Sequence, residues 1–255
     1  MPNCPKCNGP VDAADLFCEH CGQNLTPEGQ AAPKDPGPTP APAGPSPSSG
    51  GTPGQVRPGD YLKTGWELFK QYPGGLVGFA LLYGLATLLV TWLTRFLPLS
   101  MVVSTLASAA LAPFGVGGFI VCAKLLQRRP VEFGDFFQGL NLFLPIFLLA
   151  LVSSILILLG FILLIIPGLY LLTSYLFAPL LVLDRKLDFW PAMEMSRKTV
   201  QPQFFGFFVF LLLLMVINIA GALALGVGLL VTGPISIGAL TAAYAEIFGF
   251  SSDFS

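Results

Sequence analysis

The fold is decided by residues 141–183, NLFLPIFLLALVSSILILLGFILLIIPGLYLLTSYLFAPLLVL, which contain no charged side chain. A transmembrane helix needs about 20 apolar residues to cross ~30 Å of hydrocarbon, so this stretch is roughly twice as long as one span. It must therefore fold back on itself as a helical hairpin. We expect the turn of this hairpin between Gly160 and Gly168.

The composition of the whole chain agrees with a membrane protein. Hydrophobic residues make up 54% of it and charged residues only 11%, against about 25% charged residues in ordinary soluble domains. A second long run, 204–249, must also form a hairpin, with its turn between Gly226 and Pro234. We therefore predict an all-α integral membrane protein whose six transmembrane helices form three hairpins. The predicted spans are 75–97, 100–123, 141–160, 163–183, 204–227 and 229–249.

The basic residues predict the orientation of these spans. Because the number of spans is even, both termini lie on the same side of the membrane. Ten Lys and Arg residues flank the spans on that side, against Arg95 alone on the other. Cytoplasmic loops carry such an excess, so we predict that both termini are cytoplasmic. The ten residues are Arg57, Lys63, Lys70, Lys124, Arg128, Arg129, Arg185, Lys186, Arg197 and Lys198.

A short aromatic-rich segment precedes each predicted hairpin, at residues 60–69, 133–137 and 188–193. In the first segment, apolar residues recur at i, i+1, i+4, i+5 and i+8, which is one face of a helix. Such segments suit the headgroup layer as interfacial helices. One interpretation is a threefold repeat of interfacial helix and hairpin, in which the even-numbered spans carry Pro113, Pro167 and Pro234. The other is that aromatic flanks and tolerated prolines are ordinary in membrane proteins.

The N-terminus carries four cysteines in the pattern C-x2-C-x10-C-x2-C, namely Cys4, Cys7, Cys18 and Cys21. Two such pairs, each presented by a tight turn, can form a tetrahedral thiolate cage for a structural Zn²⁺ ion. Few apolar residues lie between the pairs, so metal binding must supply most of the folding energy. Thiolates persist in a reducing compartment, which agrees with the cytoplasmic N-terminus that the loop charges predict.

Other interpretations of these cysteines are weaker. A disulfide pair would need an oxidising compartment, and a redox CxxC of the thioredoxin type needs a βαβ context that is absent. His20 is the sole histidine, but four sulfurs already complete the cage. The fifth cysteine, Cys122, lies in an apolar segment and is expected to be a small buried hydrophobe.

The chain divides into a zinc ribbon at 1–25, a disordered linker at 26–58 and a six-helix transmembrane domain at 59–255. The linker holds ten prolines among small residues, so it cannot bury enough surface to offset the entropy of ordering. The ribbon has one basic residue against three acidic ones. It is therefore a poor surface for nucleic acid, which clustered Lys and Arg would bind.

The predicted spans contain almost no ionisable or strongly polar side chains. Glu246 is expected to pair with a neighbouring basic residue, Arg95 to reach the interface, and Asn218 to form an interhelical hydrogen bond. Serines, threonines and Tyr175 can bond to backbone carbonyls. Close helix contacts are expected at Ser104, Ser108 and Ala112, and at Ala220, Ala224 and Gly228. No paired carboxylates, catalytic triad or phosphate-binding loop is visible, so we do not expect an enzyme.

Two resemblances to known families add to these expectations. CPKCNGPVDAADLFCEHCGQNL (4–25) resembles the short zinc ribbons at the N-termini of many bacterial membrane proteins. From about Glu132 onward, the chain resembles an uncharacterised bacterial six-helix membrane family, related to the membrane domain found beside glycerophosphodiester phosphodiesterases. The resemblance is carried by FGDFFQG (133–139), IIPGLYLLTSYLFAPLLVLD (165–184), Ala192 to Ser196 with Arg197-Lys198, and GPISIGALTAAYAE (233–246). It implies a topology in the bacterial cytoplasmic (inner) membrane and brings no catalytic residues.

The expected role is binding or scaffolding without catalysis, with the ribbon contacting a cytosolic protein or the basic loops. The alternative is a transporter or lipid-handling protein, in which an apolar substrate moves between helices broken at Pro113, Pro167 and Pro234. The expected cofactor is structural Zn²⁺. The expected partners are membrane lipids and a cytosolic protein, and not nucleic acid.

Overall fold

The computed structural model describes residues 56–96, 100–224 and 226–251, with the side chains of Ser100 and Met101 excepted. The predicted zinc ribbon and nearly all of the predicted linker lie outside this range. Ten α-helices make up most of the described residues, joined by short connections and two 3₁₀ segments.

The helices are bounded as follows. They are α1 (Pro58–Gln71), α2 (Pro73–Thr94), α3 (Ser100–Gly115), α4 (Gly117–Leu126), α5 (Phe143–Leu163), α6 (Ile165–Ser174), α7 (Ala178–Arg185), α8 (Phe189–Val200), α9 (Phe204–Leu223) and α10 (Leu229–Phe248). The 3₁₀ segments are Phe133–Leu142 and Gln201–Gln203.

The prediction of six membrane spans is confirmed at the level of length and composition. The described residues contain six helical stretches long and apolar enough to cross a membrane. Consecutive helices pack together as α2 with α3, α5 with α6 and α9 with α10. The architecture is that of an all-helical multipass membrane protein. The six stretches are Pro73–Thr94, Val102–Leu126, Phe133–Leu163, Ile165–Arg185, Phe189–Leu223 and Leu229–Phe248.

The even-numbered spans form the inside of the bundle. In the most apolar window of each span, 50%, 44% and 39% of residues are buried in the second, fourth and sixth. The corresponding values are 11%, 17% and 22% in the first, third and fifth. A helical segment precedes each hairpin, namely α1, the segment Phe133–Leu142 and α8. This recurring order of amphipathic segment, outer span and inner span agrees with the threefold interpretation.

The turn of the α5–α6 hairpin confirms the predicted position. A single extended residue, Leu164, separates the two helices (φ −164°, ψ 150°). In the second hairpin, α9 ends at Leu223 and α10 begins at Leu229, so the first helix ends before the predicted Gly226 and the second begins before Pro234. That proline instead lies inside α10, because a transmembrane helix tolerates the loss of one backbone N–H.

The transporter alternative supposed helices broken at Pro113, Pro167 and Pro234, and the structure shows a break near the first of these alone. Pro167 occupies the first turn of α6, where the missing N–H would have no helical partner anyway. The fourth span breaks further along, at residues 175–177 between α6 and α7. Only Pro113 lies close to a break, since α3 ends at Gly115 and α4 begins at Gly117.

The amphipathic helix α1 packs its apolar face on the bundle. Tyr61, Gly65 and Leu68 are buried, and Gly65 lies directly against the backbone of α10. A Cβ atom at Gly65 would be 2.5 Å from the Ile235 carbonyl oxygen and 2.7 Å from the Ala239 nitrogen. Only glycine allows this approach, so α1 belongs to the helical core rather than to a headgroup layer alone.

Candidate functional site

The four predicted zinc ligands, Cys4, Cys7, Cys18 and Cys21, lie outside the described residues. Within 56–96, 100–224 and 226–251, no cluster of three or more His, Cys, Asp or Glu side chains could hold a metal ion. Cys122 is free and fully buried, which confirms its prediction as a buried hydrophobe.

A cavity of about 380 Å³ lies between the inner spans and α9. This volume falls in the range of small-molecule sites. Most of the lining is aliphatic or aromatic, and none of the lining residues is ionisable. They are Phe119 of α4, Leu169 and Leu172 of α6, Phe208, Leu211, Leu212, Leu214, Met215 and Asn218 of α9, and Ser236, Ile237 and Leu240 of α10.

The cavity is elongated along α9. Its lining runs from Phe208 to Asn218, which is roughly 15 Å at about 1.5 Å per residue of helix. Asn218 and Ser236 supply the polar part of the lining, and both lie in the parts of α9 and α10 nearer the α9–α10 turn. The site is therefore a long apolar slot with one polar end.

The polar end is an ordered hydrogen-bond cluster. The Asn218 Nδ2 group donates to the Leu214 carbonyl oxygen (2.8 Å) and to the Ser236 hydroxyl oxygen (2.7 Å). Ser236 donates to the Thr232 carbonyl oxygen (2.8 Å), and the Thr232 hydroxyl donates to Asn218 Oδ1 (3.3 Å). The bond between Asn218 and Ser236 joins α9 to α10, which confirms the predicted interhelical role of Asn218.

A second polar cluster, at Asp184, was missed by sequence reasoning. The Asp184 carboxylate is fully buried in α7 and accepts hydrogen bonds from the Tyr244 hydroxyl (2.6 Å) and the Ser251 backbone N–H (2.9 Å). Arg185 donates to the Phe248 carbonyl oxygen at 3.2 Å. These contacts join the C-terminal ends of α7 and α10. Their partners are 60 or more residues away in the chain, so no local pattern could reveal them.

A buried ion pair organises the connection between the first two hairpins. Lys124 Nζ lies 2.7 Å from Asp135 Oδ1, and Gln138 donates to the same oxygen at 2.7 Å. The backbone N–H of Glu132 donates to Asp135 Oδ2 at 2.9 Å. These contacts tie the end of α4 to the segment Phe133–Leu142, which indicates a structural role.

Glu246 lies beside Tyr61 at the start of α1. Burial of the ring raises the pKa of the Tyr61 hydroxyl, and the nearby Glu246 carboxylate raises this pKa further. Tyr61 is therefore neutral at physiological pH. Arg95 is exposed at the C-terminal end of α2, as expected for a residue at a span boundary.

Three of the six predicted small-residue contacts are displaced by about one position, whereas Ala112 packs against the buried core as predicted. Ser108, Ala220 and Ala224 are exposed, whereas their neighbours Ala109 and Gly221 are buried. A Cβ atom at Gly221 would lie 3.1 Å from the Gly228 carbonyl carbon, so Gly228 does take part in a close contact. The phase of an apolar helix is not readable when lipid-facing and protein-facing residues are alike.

Comparison with protein-family models, curated proteins and solved structures finds no match for this chain.

Proposed function

We propose that this protein binds a membrane lipid in the cavity between α4, α6, α9 and α10, without catalysing a reaction. The observation that carries this proposal is the slot of about 380 Å³, apolar along its length and polar at one end. Small-molecule sites combine an apolar lining with a few placed polar groups in this way. A membrane lipid has the matching distribution of polarity.

The lining also argues against catalysis and ion transport at this place. General acid–base catalysis needs a titratable side chain within hydrogen-bond reach of the substrate, and none of the cavity residues is ionisable. Intramembrane ion pathways are marked by charged side chains that face the bundle interior. The cavity therefore suits the reversible binding of a neutral group.

The test is photo-crosslinking in vesicles that contain the full-length protein and a lipid with a diazirine on its alkyl chain. Crosslinks are expected at Phe208, Leu211 or Leu214, the less exposed lining residues of α9, and are expected to be lost in Leu172→Trp, which fills the slot. Leu158→Trp is the matched control, because Leu158 is an exposed leucine of α5 outside the lining. Equal labelling of both variants and the unmodified protein would contradict a lipid site in the cavity.

Binding and transport are separated by a flux assay in the same vesicles. If the protein is a transporter, the labelled lipid exchanges between leaflets faster in protein-containing vesicles than in empty ones. A binding protein saturates with lipid but leaves that rate unchanged. We favour binding, because the prolines do not break all three inner spans.

The zinc ribbon provides a second proposed function, in the contact with a cytosolic protein. Its support is the spacing of Cys4, Cys7, Cys18 and Cys21, which predicts a folded ribbon. The acidic charge of residues 1–25 favours the alternative contact, with the basic loops of this protein itself. In this proposal the protein lies in a bacterial inner membrane with both termini in the cytoplasm. Affinity purification of the intact protein and of Cys18→Ser tests it: a partner retained equally by both would contradict a role for the folded ribbon.

A further inference from the structure

The hydrogen bonds at the polar end of the cavity fix which atoms donate and which accept. A backbone carbonyl can only accept, so the Asn218 atom 2.8 Å from the Leu214 carbonyl must be the amide nitrogen. The Ser236 hydroxyl must likewise donate to the Thr232 carbonyl. It therefore accepts from the second N–H of Asn218.

Each N–H and O–H proton of the side chains in this cluster therefore already has an acceptor. The two N–H groups of Asn218, the hydroxyl proton of Ser236 and that of Thr232 each have a partner. One lone pair on Asn218 Oδ1 and one on the Ser236 oxygen remain unused, because each oxygen can accept two bonds. Toward a ligand, this end of the cavity offers acceptors and no donors.

We propose that the occupant is an uncharged lipid alcohol from the bilayer, whose hydroxyl donates to Asn218 Oδ1 or Ser236 Oγ while its alkyl chain lies along α9 toward Phe208. This inference deepens the proposed lipid-binding function and rests on it.

The absence of free donors at this end of the cavity, and of any carboxylate in its lining, also excludes the other common lipid groups. A phosphate or carboxylate needs donors, which this end of the cavity does not offer. An ammonium group would donate, but no carboxylate lines the cavity, so the buried cation would lack a counter-charge. Esters and ethers can only accept, so they would leave the oxygens of Asn218 and Ser236 without a new partner. A neutral hydroxyl is the group that fits.

The test compares two probes with the same chain and photoreactive group, a long-chain alcohol and its methyl ether. Both are added to vesicles of phosphatidylcholine that contain the full-length protein. The alcohol is expected to occupy the cavity about three- to tenfold more strongly than the ether, the range that one net hydrogen bond supplies. Equal occupancy by the two probes would overturn the inference.

Ser236→Ala and Thr232→Val each remove one hydroxyl, and we expect them to have opposite effects on the preference for the alcohol over the ether. Ser236→Ala removes one of the two acceptors and frees one N–H of Asn218, which can donate to the ether oxygen as well as to the alcohol, so the preference for the alcohol should fall. Thr232→Val removes the donor to Asn218 Oδ1 and leaves that oxygen more available, so the preference should persist or rise. A preference that survives Ser236→Ala and disappears in Thr232→Val would contradict the assignment of donors and acceptors.

The outcomes also separate this inference from the function on which it rests. If neither probe is crosslinked in the cavity, or if Leu172→Trp has no effect on either, the lipid-binding function itself fails. If both probes are crosslinked equally and Leu172→Trp abolishes both, lipid binding stands and the selection of an alcohol fails.

Discussion

The hydroxyl of Ser196 in α8 donates a hydrogen bond of 2.6 Å to the carbonyl oxygen of Ser174, the last residue of α6. The same hydroxyl accepts a bond of 3.2 Å from the backbone N–H of Phe177, the last residue of the break in the fourth span. One side chain therefore satisfies a carbonyl and an amide that the broken helix leaves without a helical partner. Both serines are fully buried.

Ser196→Ala should destabilise the protein by about 1–3 kcal/mol, because a buried carbonyl and a buried N–H lose their partner. Ser174→Ala is the matched control. The Ser174 hydroxyl is buried and has no hydrogen-bond partner among the described residues, so its removal should be neutral or slightly stabilising. Thermal unfolding in detergent measures both variants. A larger loss in Ser174→Ala than in Ser196→Ala would contradict the bridging role of Ser196.

Gly65→Ala should separate α1 from α10. The new Cβ atom would meet backbone atoms of Ile235 and Ala239, which cannot move aside as a side chain can, so a cost of about 1–3 kcal/mol or more is expected. Gly59→Ala, in the same helix, meets nothing within 4 Å and serves as the control. The protease sensitivity of α1, measured alongside thermal unfolding, should rise in Gly65→Ala but not in Gly59→Ala. Unchanged sensitivity in Gly65→Ala would argue against the close backbone contact between α1 and α10.

Tyr244→Phe should lose about 1.5–3 kcal/mol, the range for a hydrogen bond to a charged group. The Tyr244 hydroxyl lies 2.6 Å from the Asp184 carboxylate, and both side chains are buried. The double-mutant cycle with Asp184→Ala isolates their interaction, because alanine, unlike asparagine, has no oxygen to accept from Tyr244. Unfolding of the two single variants and the double variant measures it, and additive losses would show that the two residues do not act together.

Purified full-length protein should contain one zinc ion per chain, and Cys18→Ser should lose it. Cys122→Ser should keep its zinc, because Cys122 is buried within α4. Metal analysis by mass spectrometry gives the stoichiometry. A chain that binds no zinc, or one in which Cys122→Ser loses it as readily as Cys18→Ser, would disprove the predicted cage.

The predictable part of the fold is the part that follows from local composition. Residues 141–183 must form two spans, because their length exceeds what one crossing of the hydrocarbon requires, and the turn at Leu164 follows. The hydrogen bond of Asn218 was also predictable, since an amide in an apolar span needs a partner. Its partner, Ser236, was not.

The unpredicted features depend on residues distant in the chain. The break at 175–177 carries no proline at its centre and is held by Ser196, and Asp184 finds Tyr244 and Ser251 only when α7 and α10 meet. Pro167 and Pro234 suggested breaks where the helices in fact continue. A proline shows where a backbone N–H is missing, but it does not show whether the helix ends there.

Six stretches long and apolar enough to cross a membrane, all within the described residues, were readable from the sequence, because apolar length and charge are properties of each segment alone. The packing of the helices then sets which spans lie inside, which small residues touch and where a cavity opens. In a bilayer, protein-facing and lipid-facing side chains are equally apolar, so the side that each helix presents to its neighbours depends on how their shapes fit together.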